Sequence, residues 1–136
     1  MQKWRLINGT WVLQYVLQDG LDLGIPYSIS NYPTSLNPAT DGCRNLTGRR
    51  NDNGTVTLYA VTSTVSNNGD QGADPNKLVR VNDLLNATSL PINGGNEHKD
   101  HSWGHFVTIR SARAGEVFRG VAFAPKKQSG NDDDDN

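Results

Sequence analysis

The pair Asn8-Gly9 stands between two apolar-rich runs in the stretch KWRLINGTWVLQYVL. Asn-Gly flanked by alternating apolar residues is the strongest short-range signal for a two-residue β-hairpin turn of type I′. On the second run, Trp11, Leu13 and Tyr15 alternate with Val12, Gln14 and Val16, as in a strand with one large-residue face. The pattern therefore predicts an antiparallel hairpin over residues 4–16.

Further turn signals follow along the chain, and NDNG predicts a second turn at residues 51–54. Five further strands are predicted, at residues 44–50, 55–63, 77–84, 105–111 and 117–123. The only rival is a helix in DPNKLVRVNDLLNATSL, which Asp74-Pro75 could start. The β-branched residues Val79 and Val81 favour a strand there.

Composition agrees with an all-β chain. Only 35% of the 136 residues are hydrophobic, only 20% are charged, and turn-forming Asn, Gly and Ser are abundant. The net charge of −1 gives no electrostatic reason to expect a nucleic-acid partner, and no apolar run reaches the roughly 20 residues of a membrane span. Residues 126–136, which include four consecutive aspartates, are predicted to be a disordered acidic tail.

The cellular location is left open by the sequence. Polar residues interrupt the N-terminal stretch, so we expect no signal peptide. Four glycosylation sequons argue weakly for an extracellular protein, and they begin at Asn8, Asn45, Asn53 and Asn86. Cys43 is the single cysteine, and a small, partly buried hydrophobic role is expected for it.

A weak internal sequence repeat suggests how the strands are arranged. NGTWVLQYVL at Asn8 and NGTVTLYAV at Asn53 share a turn and an alternating strand, and they lie 45 residues apart. That spacing is typical of β-propeller blades, which repeat at about 40 to 50 residues. In this interpretation residues 44–111 form one four-stranded blade. Residues 4–16 are then the outer two strands of the preceding blade, and residues 117–123 the inner strand of the next.

Two longer stretches carry a family resemblance. ATDGCRNLTGRRNDNGTVTLYAVTSTVSNNGDQGADPNKLV and RAGEVFRGVAFAP resemble the C-terminal blades of an uncharacterised β-propeller-like family of plants and bacteria. The resemblance implies an incomplete propeller of about one and three-quarter blades over residues 1–125. It brings no catalytic residue, and many members are secreted. Since a propeller needs several blades to close, we expect a truncated product or self-association through exposed blade edges.

The histidines suggest a metal site. All three, His98, His101 and His105, lie in GNEHKDHSWGH beside two carboxylates, which suits zinc. The pattern is not HExxH, so a zincin mechanism has no support. Flanking glycines favour the alternative, a solvated insertion between strands.

The stretch NNGDQGADPNKL is a candidate calcium-binding loop, because Asp70, Asp74 and Asn76 offer oxygen ligands at alternate positions. An EF-hand loop needs a bidentate glutamate at its twelfth position. If the loop began at Asn68, that position would be Val79, whose side chain cannot bind calcium. The alternative is a turn-rich connection between strands. With Trp103 of the histidine loop, these residues are the candidate binding surface.

No motif of nucleophilic catalysis is present. Six arginines would form an anion-binding stripe if they shared a face, although ion pairs are expected instead; they are Arg44, Arg49, Arg50, Arg110, Arg113 and Arg119. The sequence thus predicts a non-catalytic propeller-like piece that contributes to a protein- or glycan-binding surface. The alternative is a piece of a metal-dependent hydrolase or oxidoreductase.

Overall fold

The computed structural model describes residues 1–67, 72–90 and 103–125, and its regular structure is β apart from one short 3₁₀ turn at Thr34–Leu36. A two-stranded and a four-stranded antiparallel sheet are formed, the latter in the order β3-β4-β5-β6. The strands are β1 (Gln2–Ile7), β2 (Thr10–Val16), β3 (Ala39–Arg50), β4 (Thr55–Val65), β5 (Lys77–Leu84) and β6 (Val107–Ser111). The all-β prediction is confirmed. The described residues contain no helix long and apolar enough to cross a membrane.

The first hairpin forms with the predicted turn, but the predicted common face of Trp11, Leu13 and Tyr15 is wrong, because a register shift turns Tyr15 to the opposite face. Ile7 of β1 pairs with Thr10 of β2, which leaves Asn8 and Gly9 as a two-residue turn. Their φ angles are 48° and 81°, and positive φ at both central positions is what a type I′ turn requires. A register shift between Lys3 and Trp4 interrupts the ladder once.

The four-stranded sheet contains the four predicted strands, in chain order. Residues 77–84 are strand β5, so the helical alternative for that segment is wrong. Burial along β5 alternates, with Val79, Val81 and Asp83 buried between half-buried neighbours. This period of two is the burial pattern of a strand, and it agrees with the β-branched residues there.

The strand predicted at residues 117–123 is not formed, and this segment pairs with no strand of the described chain. Instead the segment lies against the four-stranded sheet. The backbone of Phe118 both donates to Asn76 Oδ1, at 2.8 Å, and accepts from Asn76 Nδ2, at 3.0 Å. Asn45 Nδ2 donates to the Arg119 carbonyl, and the Phe123 ring meets the Tyr59 ring edge to face. The segment is therefore a third layer held by side chains.

The two faces of the four-stranded sheet differ. One face, which we call the core face, carries Ala60, Val79 and Val81. These pack with residues from outside the sheet to form the hydrophobic core, namely Tyr15, Leu17, Leu21 and Phe106. Segment 117–123 lies on the opposite face. The molecule thus has the hairpin and its following loop on one side of the sheet and the C-terminal segment on the other.

Candidate functional site

Asp74 and Asn76, two of the predicted binding residues, are buried with no exposed surface. Asp74 Oδ1 accepts a hydrogen bond from the Tyr32 hydroxyl at 3.0 Å. The Asn76 amide bonds the Thr62 carbonyl at 2.9 Å as well as the backbone of Phe118. Their polar atoms thus join the layers of the fold, and in this structure they do not line a surface. Asp70, the third predicted oxygen ligand, lies outside the described residues.

Of the predicted metal ligands only His105 is described; His98 and His101 lie outside the described residues. His105 Nδ1 lies 2.8 Å from Asp19 Oδ2, and the Phe106 amide donates to the Asp19 carbonyl at 2.8 Å. His105 therefore helps to fasten the loop after β2 to the sheet. Within the described ranges no three His, Cys, Asp or Glu side chains come together as a metal site. Trp103 is half-buried.

A polar cluster that joins the two sheets was not found by sequence reasoning. Lys3 Nζ lies 3.0 Å from Asp83 Oδ2 and 2.7 Å from the Tyr15 hydroxyl oxygen, and it also donates to the Leu84 carbonyl. The Tyr15 hydroxyl donates to Asp83 Oδ1 at 2.7 Å. Lys3 and Tyr15 belong to the first hairpin and Asp83 to β5, so this cluster joins the two sheets. No sequence motif marks it, because its members are up to 80 positions apart.

The Lys3–Tyr15–Asp83 cluster is not arranged for acid–base catalysis. Burial, with the hydrogen bond to Asp83 and the charge of its carboxylate, raises the pKa of Tyr15 well above its ordinary value. A tyrosine that acts as a general acid or base near neutral pH needs the opposite shift. The hydroxyl therefore stays protonated and donates to the carboxylate, which is a structural role.

Arginines gather on the sheet face opposite the core face, which we call the arginine face. Arg44 pairs with Val61, which pairs with Leu78, which in turn pairs with Arg110. Residues directly opposite one another in a ladder point to the same face, so this row brings two arginines to one side. The same reasoning adds Arg49, through Thr57, and Arg80, through Tyr59.

The ion pairs expected for these arginines do not form within the described part of the chain. Its two ion pairs are Lys3–Asp83 and His105–Asp19. The acidic residue of β5, Asp83, points to the core face, where Lys3 neutralises it. Arg110 instead lies over the Phe118 ring, 5.5 Å from its centroid. The shared face that the stripe hypothesis requires is thus present for Arg44, Arg49 and Arg110.

Arg44 is the least satisfied of these residues, because its Nε and Nη2 are buried without a hydrogen-bond partner among the described residues. A buried donor without a partner destabilises the folded state by about 1–3 kcal/mol. We therefore expect Arg44→Met to raise the free energy of unfolding by about 1–2 kcal/mol, because methionine keeps the aliphatic packing and removes the donors.

Urea denaturation at neutral pH measures this effect of Arg44→Met. The matched control is Arg49→Met, which removes the same charge from the same face at an exposed position and should change stability by less than about 0.5 kcal/mol. Equal stabilisation by both variants would trace the gain to reduced net repulsion and would contradict the buried-donor argument.

The outer face of the first hairpin is apolar and exposed. Trp4 pairs with Leu13 and Leu6 pairs with Trp11, so these four side chains share one face. They are 48%, 42%, 54% and 63% exposed, respectively. Lys3 and Tyr15, on the other face of the same hairpin, point to the four-stranded sheet. We call the four exposed side chains the hairpin patch.

Comparisons with protein-family models, with curated proteins and with solved structures found no match. The resemblance to a propeller-like family therefore stays a prediction, and so does the division into residues 1–125 and a tail at residues 126–136, which lies outside the described residues.

Proposed function

We propose that this chain is a non-catalytic, β-propeller-like piece that binds protein by continuing its own stack of β-layers. The observation that carries the proposal is the hairpin patch, an exposed apolar sheet face. Contiguous exposed apolar patches on soluble proteins mark interaction sites, since water contact with them is unfavourable. Two of its four members are tryptophan, a residue enriched among the energetic centres of interfaces.

The layer order supports the propeller-like part of the proposal. The hairpin, the four-stranded sheet and segment 117–123 follow one another face to face, as successive blades do in a propeller. The contacts of segment 117–123 run from Asn76 at its start to Tyr59 near its end. Along this path it has the same direction as β3, which is the relation of inner strands in neighbouring blades.

A second copy of this chain is the occupant that the residues favour for the hairpin patch. Its arginine face carries Arg80 on β5, while the neighbouring Arg110 on β6 packs over the Phe118 ring of segment 117–123. Guanidinium groups pack well on tryptophan faces, with a cation–π gain of about 0.5–1 kcal/mol at exposed sites. A hairpin patch on an arginine face pairs two different surfaces, so the association is head to tail.

The other functions considered receive less support. The candidate calcium and zinc residues that are described make bonds within the fold, so a metal-dependent hydrolase or oxidoreductase remains an untested alternative. Extracellular location also stays a prediction. Of the sequon residues, Asn45 donates its side-chain amide to the Arg119 carbonyl, and a glycan on that nitrogen would compete with this contact.

Self-association is the test of the proposed function. We expect the full chain to form dimers or larger species at concentrations of about 10–100 µM, measured by sedimentation velocity. Trp11→Gln removes an exposed ring from the hairpin patch without touching the core, and it should weaken association about tenfold or more. Arg80→Gln on the complementary face should weaken it as well.

The matched control is Ile25→Gln, since Ile25 is 61% exposed but lies outside the hairpin. Its association should equal that of the unmodified chain. A monomeric wild-type chain at several hundred micromolar would refute the proposed self-association, and equal effects of Trp11→Gln and Ile25→Gln would refute the role of the patch.

A further inference from the structure

A groove of about 330 Å³ lies between the loop before β3 and the adjoining ends of β5 and β6. Its volume is at the lower end of the range of small-molecule sites, about 300–1,000 Å³. The lining residues are Tyr27, Ser28, Ile29, Ser30, Lys77, Ser111, Ala112 and Arg113. The groove is separate from the hairpin patch, and of the candidate residues named from the sequence only Arg113 lines it.

The groove is cationic. Lys77 and Arg113 both line it, no carboxylate does, and neither cation is ion-paired within the described part of the chain. Lys77 Nζ lies over the Tyr27 ring, 4.1 Å from its centroid. Two acidic side chains belong to the same segments as these cations, and that of Glu116 stays beside Arg113. Asp74 is buried and accepts from the Tyr32 hydroxyl, and Glu116 accepts from the backbone amide of Arg113.

The walls of the groove are joined to each other before any ligand arrives. The Tyr27 hydroxyl donates to the Pro75 carbonyl at 2.8 Å, which joins the loop to the residues that precede β5. The Tyr27 amide donates to the Pro38 carbonyl, and the Ala112 amide donates to the Asn76 carbonyl. A preformed groove loses less conformational freedom on binding than a loop that must be ordered.

From this geometry we infer that the groove binds an acidic sugar, meaning a hydroxylated ring that carries one negatively charged oxygen group. Lys77 and Arg113 supply charge-assisted hydrogen bonds to the oxyanion. The hydroxyls of Ser28, Ser30 and Ser111 both donate and accept, as sugar hydroxyls do. The half-buried Ile29 gives the apolar surface on which the ring carbons rest.

The inference is independent of the proposed self-association and is tested with the full chain labelled with ¹⁵N. Glucuronate and glucose 6-phosphate are titrated separately, and the amide signals of Ser28, Ser30 and Ser111 report on the groove. Saturable shifts with a dissociation constant of about 1 mM are expected for at least one probe. The tighter of the two identifies a carboxylate or a phosphate as the preferred anion.

Neutral glucose and inorganic sulfate separate the two parts of the inference. Glucose that binds as tightly as the acidic sugars would overturn the role of the cations. Sulfate that binds as tightly would overturn the role of the hydroxyls, since it carries the charge without the ring. We expect both to bind at least about tenfold more weakly.

Variants assign the contacts. Lys77→Met and Arg113→Met should each weaken binding about tenfold, because each removes one charge-assisted hydrogen bond. Arg49→Met makes the same charge change on another surface and should leave the affinity unchanged. If Arg49→Met lowers the affinity as much as the two groove variants do, net charge and not the groove binds the sugar, and the inference is wrong.

Discussion

Gly20→Ala is expected to lower the free energy of unfolding by about 3 kcal/mol or more, the sum of a backbone and a packing effect. Gly20 has a φ of +80°, and a Cβ atom placed there would lie 2.3 Å from the Phe106 carbonyl oxygen and 2.8 Å from His105 Cε1. The oxygen belongs to the backbone that leads into β6, so the contact cannot be relieved by a side-chain rotation alone.

The measurement for Gly20→Ala is a thermal melt followed by circular dichroism, in which the midpoint should fall by about 10 °C. Gly24→Ala is the matched control. Its φ is +74° and its added Cβ meets no atom within 4 Å, so it carries the backbone effect alone, about 1–2 kcal/mol. Equal shifts for the two variants would mean that the loop moves away from Phe106 without cost.

These contacts show why the strands were predictable and the docking between layers was not. The Asn8-Gly9 turn and the alternation along β5 are local signals, and the structure follows both. The close approach of Gly20 to Phe106 joins residues 86 positions apart. A sequence shows only that residue 20 is glycine, and the conformation and the neighbour that require it come from the tertiary fold.

Segment 117–123 illustrates the limit of the strand signal itself. Its alternation of Val117, Arg119 and Val121 with Phe118 and Ala122 is that of a strand, yet the segment is held against the sheet by side-chain contacts. A ladder, however, needs a second strand, and the described chain contains none for this segment. The local pattern therefore predicted a strand, and it could not show that side chains would hold the segment instead of a ladder.

The candidate site was harder to predict, because polar residues in a turn-rich chain either bond within the fold or face solvent, where they can bind a ligand. Asp74 and Asn76 have the residue types and the spacing of cation ligands, yet the structure turns both inward to bond Tyr32, Thr62 and Phe118. Lys77 lies one position after Asn76 in a strand and faces the groove. Burial separates these neighbours, and burial depends on contacts far away in the sequence.

The Lys3–Tyr15–Asp83 cluster gives the second large expected effect, since it is the main polar link between the hairpin and the four-stranded sheet. The Lys3 and Asp83 side chains are only 19% and 4% exposed. Removing one member of a buried ion pair leaves the other desolvated without a counter-charge, which destabilises by about 3–5 kcal/mol. We expect about 3 kcal/mol for Asp83→Asn, because part of Lys3 still reaches water and asparagine still accepts from the Tyr15 hydroxyl.

A double-mutant cycle separates this pairing from the loss of packing. Lys3→Met alone leaves the Asp83 carboxylate buried with one hydrogen bond. It should therefore lower the free energy of unfolding, measured by urea denaturation, by about 2 kcal/mol. In the double variant Lys3→Met/Asp83→Asn neither charge remains, and the loss should be smaller than the sum of the single losses by at least about 1 kcal/mol. Additivity within about 0.5 kcal/mol would mean that the two charges do not interact, and the hairpin would then be held to the sheet by Tyr15, Leu17 and the hydrophobic core.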